Sequence, residues 1–406
     1  MAFRVRAVRD LEEYRLALGA IGHYIGWVPD PDDVGLLSRL LPPDRLHAAL
    51  DGSDVVAGAG TYPFELTIPG GPLRCAGVAA VGVLPSHRRR GLLTRLMKAQ
   101  LADVRERGEP MAALWTSEET IYGRYGYGLA SLQLAVAADR TRVGLRAGLP
   151  EREGRMRMVD QDEALRVFPG VYERVRRSQV GFLSRSRDWW KLRRLDDQPE
   201  QRRGSGPLNY ALLELEGRPA AYALYRVAQT RESGEWRRTL RVLEAIGVDP
   251  AATREIWRFL LEIDWMDEVD ARSLPLDHPL LHIVARMSLL RPKVDDGLWV
   301  RLVDVGEALS ARGYTGDGRV TVEVATDPLF PDNVGTWTIE DGRARRTSRR
   351  VDVRIDVQGL ASVFLGGFTF SQLVRAEQAV EIGRGGASRA DALFRVASQP
   401  WSPEGF

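Results

Sequence analysis

Apolar and polar residues alternate from Phe3 to Val8, the period of an edge strand with one buried face. Asp10 follows, and then Leu11, Tyr14, Leu18 and Ile21 recur at steps of three and four, which predicts a helix with an aspartate cap. Asp51-Gly52 separates Leu46–Leu50 from Val55–Gly60 and predicts a hairpin. Pro69-Gly70-Gly71 marks a second turn, between Phe64–Ile68 and Leu73–Val83. Leu92, Leu93, Leu96, Met97, Gln100, Leu101 and Val104 lay out one face of a helix from Gly91 to about Arg107, and Met111–Trp115 reads as a short buried strand. The first 140 or so residues are therefore expected to be α/β.

The pattern breaks in the charged stretch Asp139 to Arg157, which contains Gly148-Leu149-Pro150, so a domain boundary is expected after residue 148. Further on, Ile246-Gly247-Val248-Asp249-Pro250 echoes Val81-Gly82-Val83-Leu84-Pro85. Both end a strand and lead to a helix, the second with Ile256, Trp257, Leu260 and Leu261 on one face. A duplicated α/β domain over 149–292 accounts for the echo, and so does coincidence over five residues. From there to residue 406 the texture changes again. Leu298–Val303 reads as a strand and Glu307–Arg312 as a short helix ended by Gly313. Strands are expected at Arg319–Val324, Val334–Glu340 and Val351–Val357, and helices at Gly359–Phe364, Phe370–Glu377 and Ala387–Val396. Strands followed by helices indicate a compact α+β domain over 293–406. Trp401 and Phe406, two aromatics in six residues, indicate a terminus docked on something.

The 406 residues suit two or three domains, and 44% hydrophobic with 28% charged residues is an ordinary globular balance. That excludes collagen, a wholly disordered chain and a disulfide scaffold. Cys75 is the single cysteine, so no intrachain disulfide can form. With no apolar signal core after the charged start, a reducing, cytoplasmic setting is expected. No apolar run approaches the roughly 18 residues of a membrane span. A net charge of +2 gives no global attraction to nucleic acid. Only three of the 57 basic residues are lysines, so arginine clusters carry meaning by position rather than by number.

The stretch from Val81 to Thr94 carries the most chemistry: an apolar strand, a basic turn Ser86-His87-Arg88-Arg89-Arg90-Gly91, then an amphipathic helix. A helix N-terminus offers unpaired N–H groups and partial positive charge, Gly91 admits close backbone approach, and the arginines add charge-assisted contacts. Such a turn suits a diphosphate. It resembles the acyl-CoA motif of the GNAT acetyltransferases, Arg/Gln-x-x-Gly-x-Gly/Ala, here Arg88-x-x-Gly91-x-Leu93, with Leu93 in place of the common small residue. Together with Ile121-Tyr122-Gly123-Arg124-Tyr125-Gly126-Tyr127-Gly128, Asp296-Gly297-Leu298-Trp299 and the final phenylalanine, it is similar to the Eis (enhanced intracellular survival) family over nearly the whole chain.

The resemblance implies an N-terminal GNAT domain over 1–148, a degenerate GNAT-like domain over 149–292 and a sterol-carrier-protein-like domain over 293–406. It implies acetyl-CoA as donor with no metal, a primary amine of a polycation such as an aminoglycoside as acceptor, and a homohexamer built as a dimer of trimers. Residue by residue it implies Val81, Gly82 and Val83 along the pantetheine arm, Arg89, Arg90, Gly91, Leu92, Leu93 and Thr94 at the diphosphate, and Ser117 and Glu118 beside the same cleft. Tyr122 is the matched general acid and the carboxylate of Phe406 the matched general base. Nothing of this kind extends to membrane or nucleic-acid partners.

The chemistry agrees with the acid. Acetyl transfer expels a thiolate, and a tyrosine with pKa near ~10 stays protonated at neutral pH and can donate to it. Tyr125 and Tyr127 are rivals. For a cationic acceptor, Glu65, Glu118, Glu119 and Glu404 are candidate wall residues, and the Ile21–Trp27 stretch, with His23 and Tyr24, is expected to border the acceptor. Family members active on aminoglycosides carry an aspartate there. His278 and His282 lack the glutamate of a zinc protease motif, and Cys75 has no histidine neighbour in sequence. The second domain has no glycine and one arginine in Pro250–Glu255, so it is expected not to bind CoA. A protein-lysine acetyltransferase and an inactive lipid- or ligand-binding scaffold stay open as alternatives.

Overall fold

The computed structural model describes residues 3–232 and 234–406. They divide into two compact units. One holds the residues up to Ser131, Leu298–Ala397 and Gly405–Phe406; the other holds Leu132–Gly297 and Ser398–Glu404.

The first unit opens with β1 (Arg4–Ala7), β2 (Leu46–Asp51), β3 (Asp54–Ile68) and β4 (Gly71–Val83), all antiparallel neighbours. The helix Leu11–Ile25 starts where the pattern places it, with the Asp10 side chain accepting from the Glu13 N–H. The helix Leu92–Glu106 then crosses over and brings β5 (Met111–Leu114) parallel to β4, and β6 (Gly128–Leu129) ends this run. The buried positions of that helix are Leu92, Leu96, Met97, Gln100, Leu101 and Val104, five of them apolar at helical spacing. Gln100 is the exception, and its amide N–H donates to the Gly60 carbonyl at 2.9 Å.

The second unit is a seven-stranded sheet made of β7 (Leu132–Asp139), β8 (Gly154–Val159), β9 (Asn209–Leu215), β10 (Arg218–Glu232), β11 (Glu235–Gly247), β12 (Glu268–Leu274) and β13 (Lys293–Asp296). Their order is β13-β7-β12-β11-β10-β9-β8. β11 and β12 are parallel and joined by the helix Pro250–Glu262, as β4 and β5 are joined by Leu92–Glu106. The last paired residue of the earlier strand is Gly77 in one unit and Val242 in the other, keeping the spacing of Pro85 and Pro250. The five-residue echo in the sequence therefore belongs to a repeated strand–helix–strand architecture.

β14 (Trp299–Leu302) returns to the first sheet and pairs with both β5 and β6. The sequence pattern identifies this strand but assigns it to the last domain. Alternation fixes a strand's faces and says nothing about which distant edge it will join. For the same reason the sheet changes at Ser131/Leu132 and Gly297/Leu298, while the composition changes later, in the arginine-rich loop beyond residue 139.

The remaining strands, β15 (Arg319–Val324), β16 (Gly335–Glu340), β17 (Arg343–Arg346), β18 (Val353–Ile355) and β19 (Ala379–Glu381), form a sheet in the order β17-β16-β15-β18-β19. Helices Val357–Phe364, Phe370–Arg375 and Gly386–Phe394 accompany it, close to their expected positions. β17 and β19 were not legible as strands, being short and largely exposed. The terminal aromatics do dock. Trp401 packs on Phe182 in the second unit, and the Phe406 ring lies 5.2 Å from Phe64 and 6.2 Å from Tyr62 in the first. Among the described residues no helix is long and apolar enough to cross a membrane.

Candidate active site

β4 and β5 pair only from Cys75–Gly77 to Met111–Ala113. Beyond that rung they part. β4 carries one extra residue against β3, because Gly58 pairs with Gly82 but Gly60 pairs with Ala79. The bulge falls at Ala80–Val81, and Ala80 takes a left-handed φ of 53°. A bulge bends its strand and strengthens the local twist, which here turns the end of β4 away from β5. Gly82 lets the helix Leu11–Ile25 close on this strand, since a Cβ there would stand 2.7 Å from the Ala20 carbonyl carbon and from the Ile21 Cα. The Tyr24 hydroxyl donates to the Val83 carbonyl at 2.6 Å and fastens the end of that helix to the end of β4.

The wedge so formed is a cavity of about 620 Å³, within the usual range for small-ligand sites. Val81, Gly82 and Val83 line one side of it, Ser117, Glu118 and Tyr122 another, and Arg89, Gly91, Leu92, Leu93 and Thr94 its basic end. Arg90 does not line it. That side chain stands 3.9 Å from the Asp51 carboxylate and 5.7 Å over the Phe3 ring, on the outer side of the turn. Arg88 lines the cavity instead. Sequence reasoning placed Arg88 in the motif but not among the ligand residues. It also gave no role to His87, Ile121 and Arg124, which lie in the same lining, together with Ile21 of the stretch expected at the acceptor and Tyr125, the rival acid. Ile21 is the partner that Gly82 admits, a relation across sixty residues that no local pattern displays.

The N-terminus of helix Leu92–Glu106 differs from most of its neighbours. Helices beginning at residues 11, 161, 250, 305 and 357 each have an aspartate accepting from a first-turn N–H. This helix has Gly91 at its cap with φ 76°, no side-chain cap and no acidic residue in its first turn. Its first-turn N–H groups and partial positive charge are left facing the cavity end where Arg88 and Arg89 stand. That donor set fits a diphosphate. In the second unit the equivalent helix is closed by its own carboxylate, because Asp249 accepts from the Ala252 N–H at 2.7 Å. An anion brought there would meet a negative charge.

The three tyrosines separate by environment. Tyr127 is fully buried outside the lining, and its hydroxyl has no hydrogen-bond partner among the described residues. Tyr125 lines the cavity with its hydroxyl engaged by Thr94 Oγ1 at 3.1 Å. Tyr122 is half-buried in the lining, its ring edge-on to Tyr127 at 5.9 Å. Burial first, and then Tyr125 beside it, pushes the Tyr122 phenol up to about 12. It is a neutral proton donor throughout the physiological range. The ring of Phe406 stands beside Gly77, the last rung before β4 and β5 part, where a Cβ would come 3.1 Å from it. Phe406 is therefore at the root of the wedge and outside the cavity lining itself.

Among the acidic candidates, Glu118 lines the cavity, with its Oε1 accepting from the Thr120 hydroxyl at 2.7 Å. Glu65 sits opposite Arg74 in the β3–β4 ladder, exposed, and Glu119 is exposed as well. Glu404 is no cation-binding wall residue: it is buried and neutralised by Arg185 and Arg194. Asp30 and Asp33 form a capping box on the helix Pro31–Leu37, and Asp33 also accepts from the Trp27 indole. Tyr24 lines the cavity, whereas His23 is exposed. His278 is buried and accepts from the Leu280 N–H, and burial pushes its imidazole down to about 3, so it stays neutral. Cys75 is fully buried, and burial pushes its thiol up. Among the described residues no group of three His, Cys, Asp or Glu side chains could hold a metal ion.

Residues 24–130 match an acetyltransferase (GNAT) domain family, residues 181–302 match another acetyltransferase (GNAT) domain family, and residues 305–403 match the sterol carrier protein domain family. An uncharacterized N-acetyltransferase of Streptomyces avermitilis is 37% identical over 100% of both chains. N-acetyltransferase Eis of Mycobacterium tuberculosis is 33% identical, covering 90% of this chain and 89% of its own. The crystal structure of Eis1 from Mycobacterium abscessus is similar with a TM-score of 0.86, at 30% identity and covering 100% of both chains.

Proposed function

The chain belongs to the Eis family of GNAT N-acetyltransferases, and from that premise we propose that it moves the acetyl group of acetyl-CoA to a primary amine of a polycationic small molecule, an aminoglycoside among them, with Tyr122 as general acid and the Phe406 carboxylate as general base. It is an acyltransferase of two tandem GNAT domains followed by a sterol-carrier-like domain. The observation that carries the reading is the pairing of the parted β4–β5 wedge with the one long helix end that opens on it uncapped.

Acetyl-CoA supplies an activated acyl group on a thiol leaving group. The first-turn N–H groups of Leu92–Glu106, with Arg88 and Arg89, would hold its diphosphate. The edge of β4 left by β5 at Val81–Val83 would hold the amides of its arm. Tyr122 donates its phenolic proton to the departing sulfur. A thiol has pKa near ~8.5 in water, well below the value of about 12 at Tyr122. The mismatch narrows because the same burial disfavours the thiolate. The acceptor ammonium must lose a proton before its nitrogen can attack, and Phe406, taken as the chain end, supplies a carboxylate that attracts the cation and takes that proton through water. Glu118 adds negative charge on the wall.

The reading is tested by thiol release from acetyl-CoA with a panel of amines, and by mass spectrometry of the amine. Aminoglycosides and polyamines are expected to stimulate release and to gain acetyl groups. Acetylation confined to lysine peptides would replace the acceptor class. No release with any amine would leave a binding scaffold. A cytoplasmic location and a homohexamer are part of the same proposal, and native mass spectrometry reads the latter.

CoA is expected to bind once per chain, because Asp249 closes the helix end in the second domain. Calorimetry finding two equivalent sites per chain would refute this. Arg89→Ala is expected to weaken CoA binding about ten- to hundredfold, the loss of a contact between charged groups worth roughly 1.5–3 kcal/mol. Arg90→Ala, whose side chain faces Asp51 and Phe3, is expected to change it less than about threefold, the range of an exposed ion pair.

A further inference from the structure

The second unit opens its parallel strands as the first does. β11 and β12 pair from Thr239–Val242 to Glu268–Ala271 and then separate. The residues at these free strand ends are engaged by the chain's own residues 398–404. The Trp401 indole donates to the carbonyl of Ser273, two residues past the last rung of β12. The Gln399 N–H donates to Asp277 at 2.8 Å. Trp401 N–H donates to the Val180 carbonyl at 2.9 Å, and its ring meets Phe182 edge-on at 5.0 Å.

On β11, Glu244 stands two residues past the last rung and anchors a buried charge network. Arg185 donates two hydrogen bonds to it at 2.9 and 2.6 Å, Arg194 a third at 2.5 Å, and the Tyr222 hydroxyl a fourth. The Nε of Arg185 reaches the Glu404 carboxylate, which Arg194 also faces at 3.6 Å. The side chains of Arg185 and Glu244 are 0% exposed and that of Glu404 1%. Two arginines and Glu244 alone would bury an unbalanced positive charge, which is strongly destabilising. Glu404 restores neutrality. A second feature is independent of charge: Gly181 has φ 99°, and a Cβ there would come 2.7 Å from the Trp401 nitrogen. Both the charge balance and the glycine are shaped for the terminal segment.

We propose that the second, degenerate GNAT domain is a receptor for the chain's own C-terminal segment, recognising Trp401 and Glu404, and that Glu404 is thereby a positioning residue for the carboxylate two residues further on. The second part rests on the reading of Phe406 as the base; the first does not.

The test uses the full-length chain carrying Glu404→Gln or, separately, Gly181→Ala. Hydrogen exchange at the Gln399 and Trp401 amides is expected to quicken at least tenfold in both, with the amides of β10 and β11 unchanged. In Glu404→Gln, adding Arg194→Met restores charge balance and is expected to return exchange towards the wild-type rate. Turnover is expected to fall at least tenfold in the single variants while the Kd for CoA holds. Unchanged exchange in the single variants overturns the receptor. Faster exchange with undiminished turnover overturns the positioning role. Whether the base reading falls too is told by a chain extended beyond Phe406, which displaces the carboxylate without touching Glu404. Exchange that quickens throughout β10 and β11 would make the network a core element and would also overturn the receptor.

Discussion

Extending the chain by a short Gly-Ser tail after Phe406 is expected to lower kcat for amine acetylation at least a hundredfold while the Kd for CoA stays within about twofold. A positioned general base contributes roughly 10²–10⁴ in rate. The extension keeps the Phe406 ring, and so keeps its packing on Phe64, Tyr62 and Gly77. It moves only the carboxylate, replacing it by a neutral peptide bond. The basic end of the wedge, lined by Arg88, Arg89 and Gly91, is untouched. Deleting Phe406 is expected to abolish turnover as well, with an added loss of packing. The extended chain is thus the cleaner variant, because its stability serves as a control. Wild-type turnover in a folded, CoA-binding extended chain would remove the carboxylate from the mechanism and leave the terminal ring as a packing element.

Tyr122→Phe is expected to lower kcat by about 10²–10³ with CoA affinity nearly unchanged. The hydroxyl is needed only as charge develops on sulfur, so its loss falls on the chemical step and not on ground-state binding. The ring and its edge-on packing against Tyr127 are kept, so removing the hydroxyl is expected to leave Tm within a degree or two. Tyr125→Phe breaks the bond to Thr94 and is expected to affect turnover less. The pH profile gives a separate check. Because the Tyr122 phenol is held near 12, the acid remains protonated as pH rises, and no loss of rate from its ionisation is expected below about pH 11. A fall centred near pH 9 or 10 that disappears in Tyr122→Phe would contradict the burial described here. Unchanged turnover in Tyr122→Phe would point to Tyr125.

The first helix and its Asp10 cap, the 51–52 hairpin, the basic turn and the helix beyond Gly91 were legible because each is set by neighbours a few residues away. The same holds for most elements after residue 305. The basic turn also displayed its chemistry, since an arginine–glycine entry to a helix without a capping carboxylate is written in six consecutive residues. What stayed hidden depends on long-range partners. That Arg90 turns to Asp51 and Phe3 while Arg88 and Arg89 face the cavity depends on the left-handed backbone of Arg89, at φ 62°. Charge alone made the three arginines equivalent. Glu404 was a candidate wall residue for a cationic acceptor, and only the buried arginines of a distant segment show it to be neutralised. The bulge at Ala80–Val81 leaves no mark in composition, although it opens the wedge.

The return of β14 to the first sheet has a consequence for synthesis. β14 pairs with both β5 and β6, so the sheet that bears the candidate site lacks a strand in its interior until some three hundred residues have left the ribosome. Until then two bare edges face the cellular milieu, the condition under which sheets pair with the wrong neighbour. The strands of the intervening domain have all been made by then, while its residues 398–404 are still to come. The site-bearing domain, first in the gene, is therefore among the last parts to close, and it cannot be separated as a simple N-terminal piece.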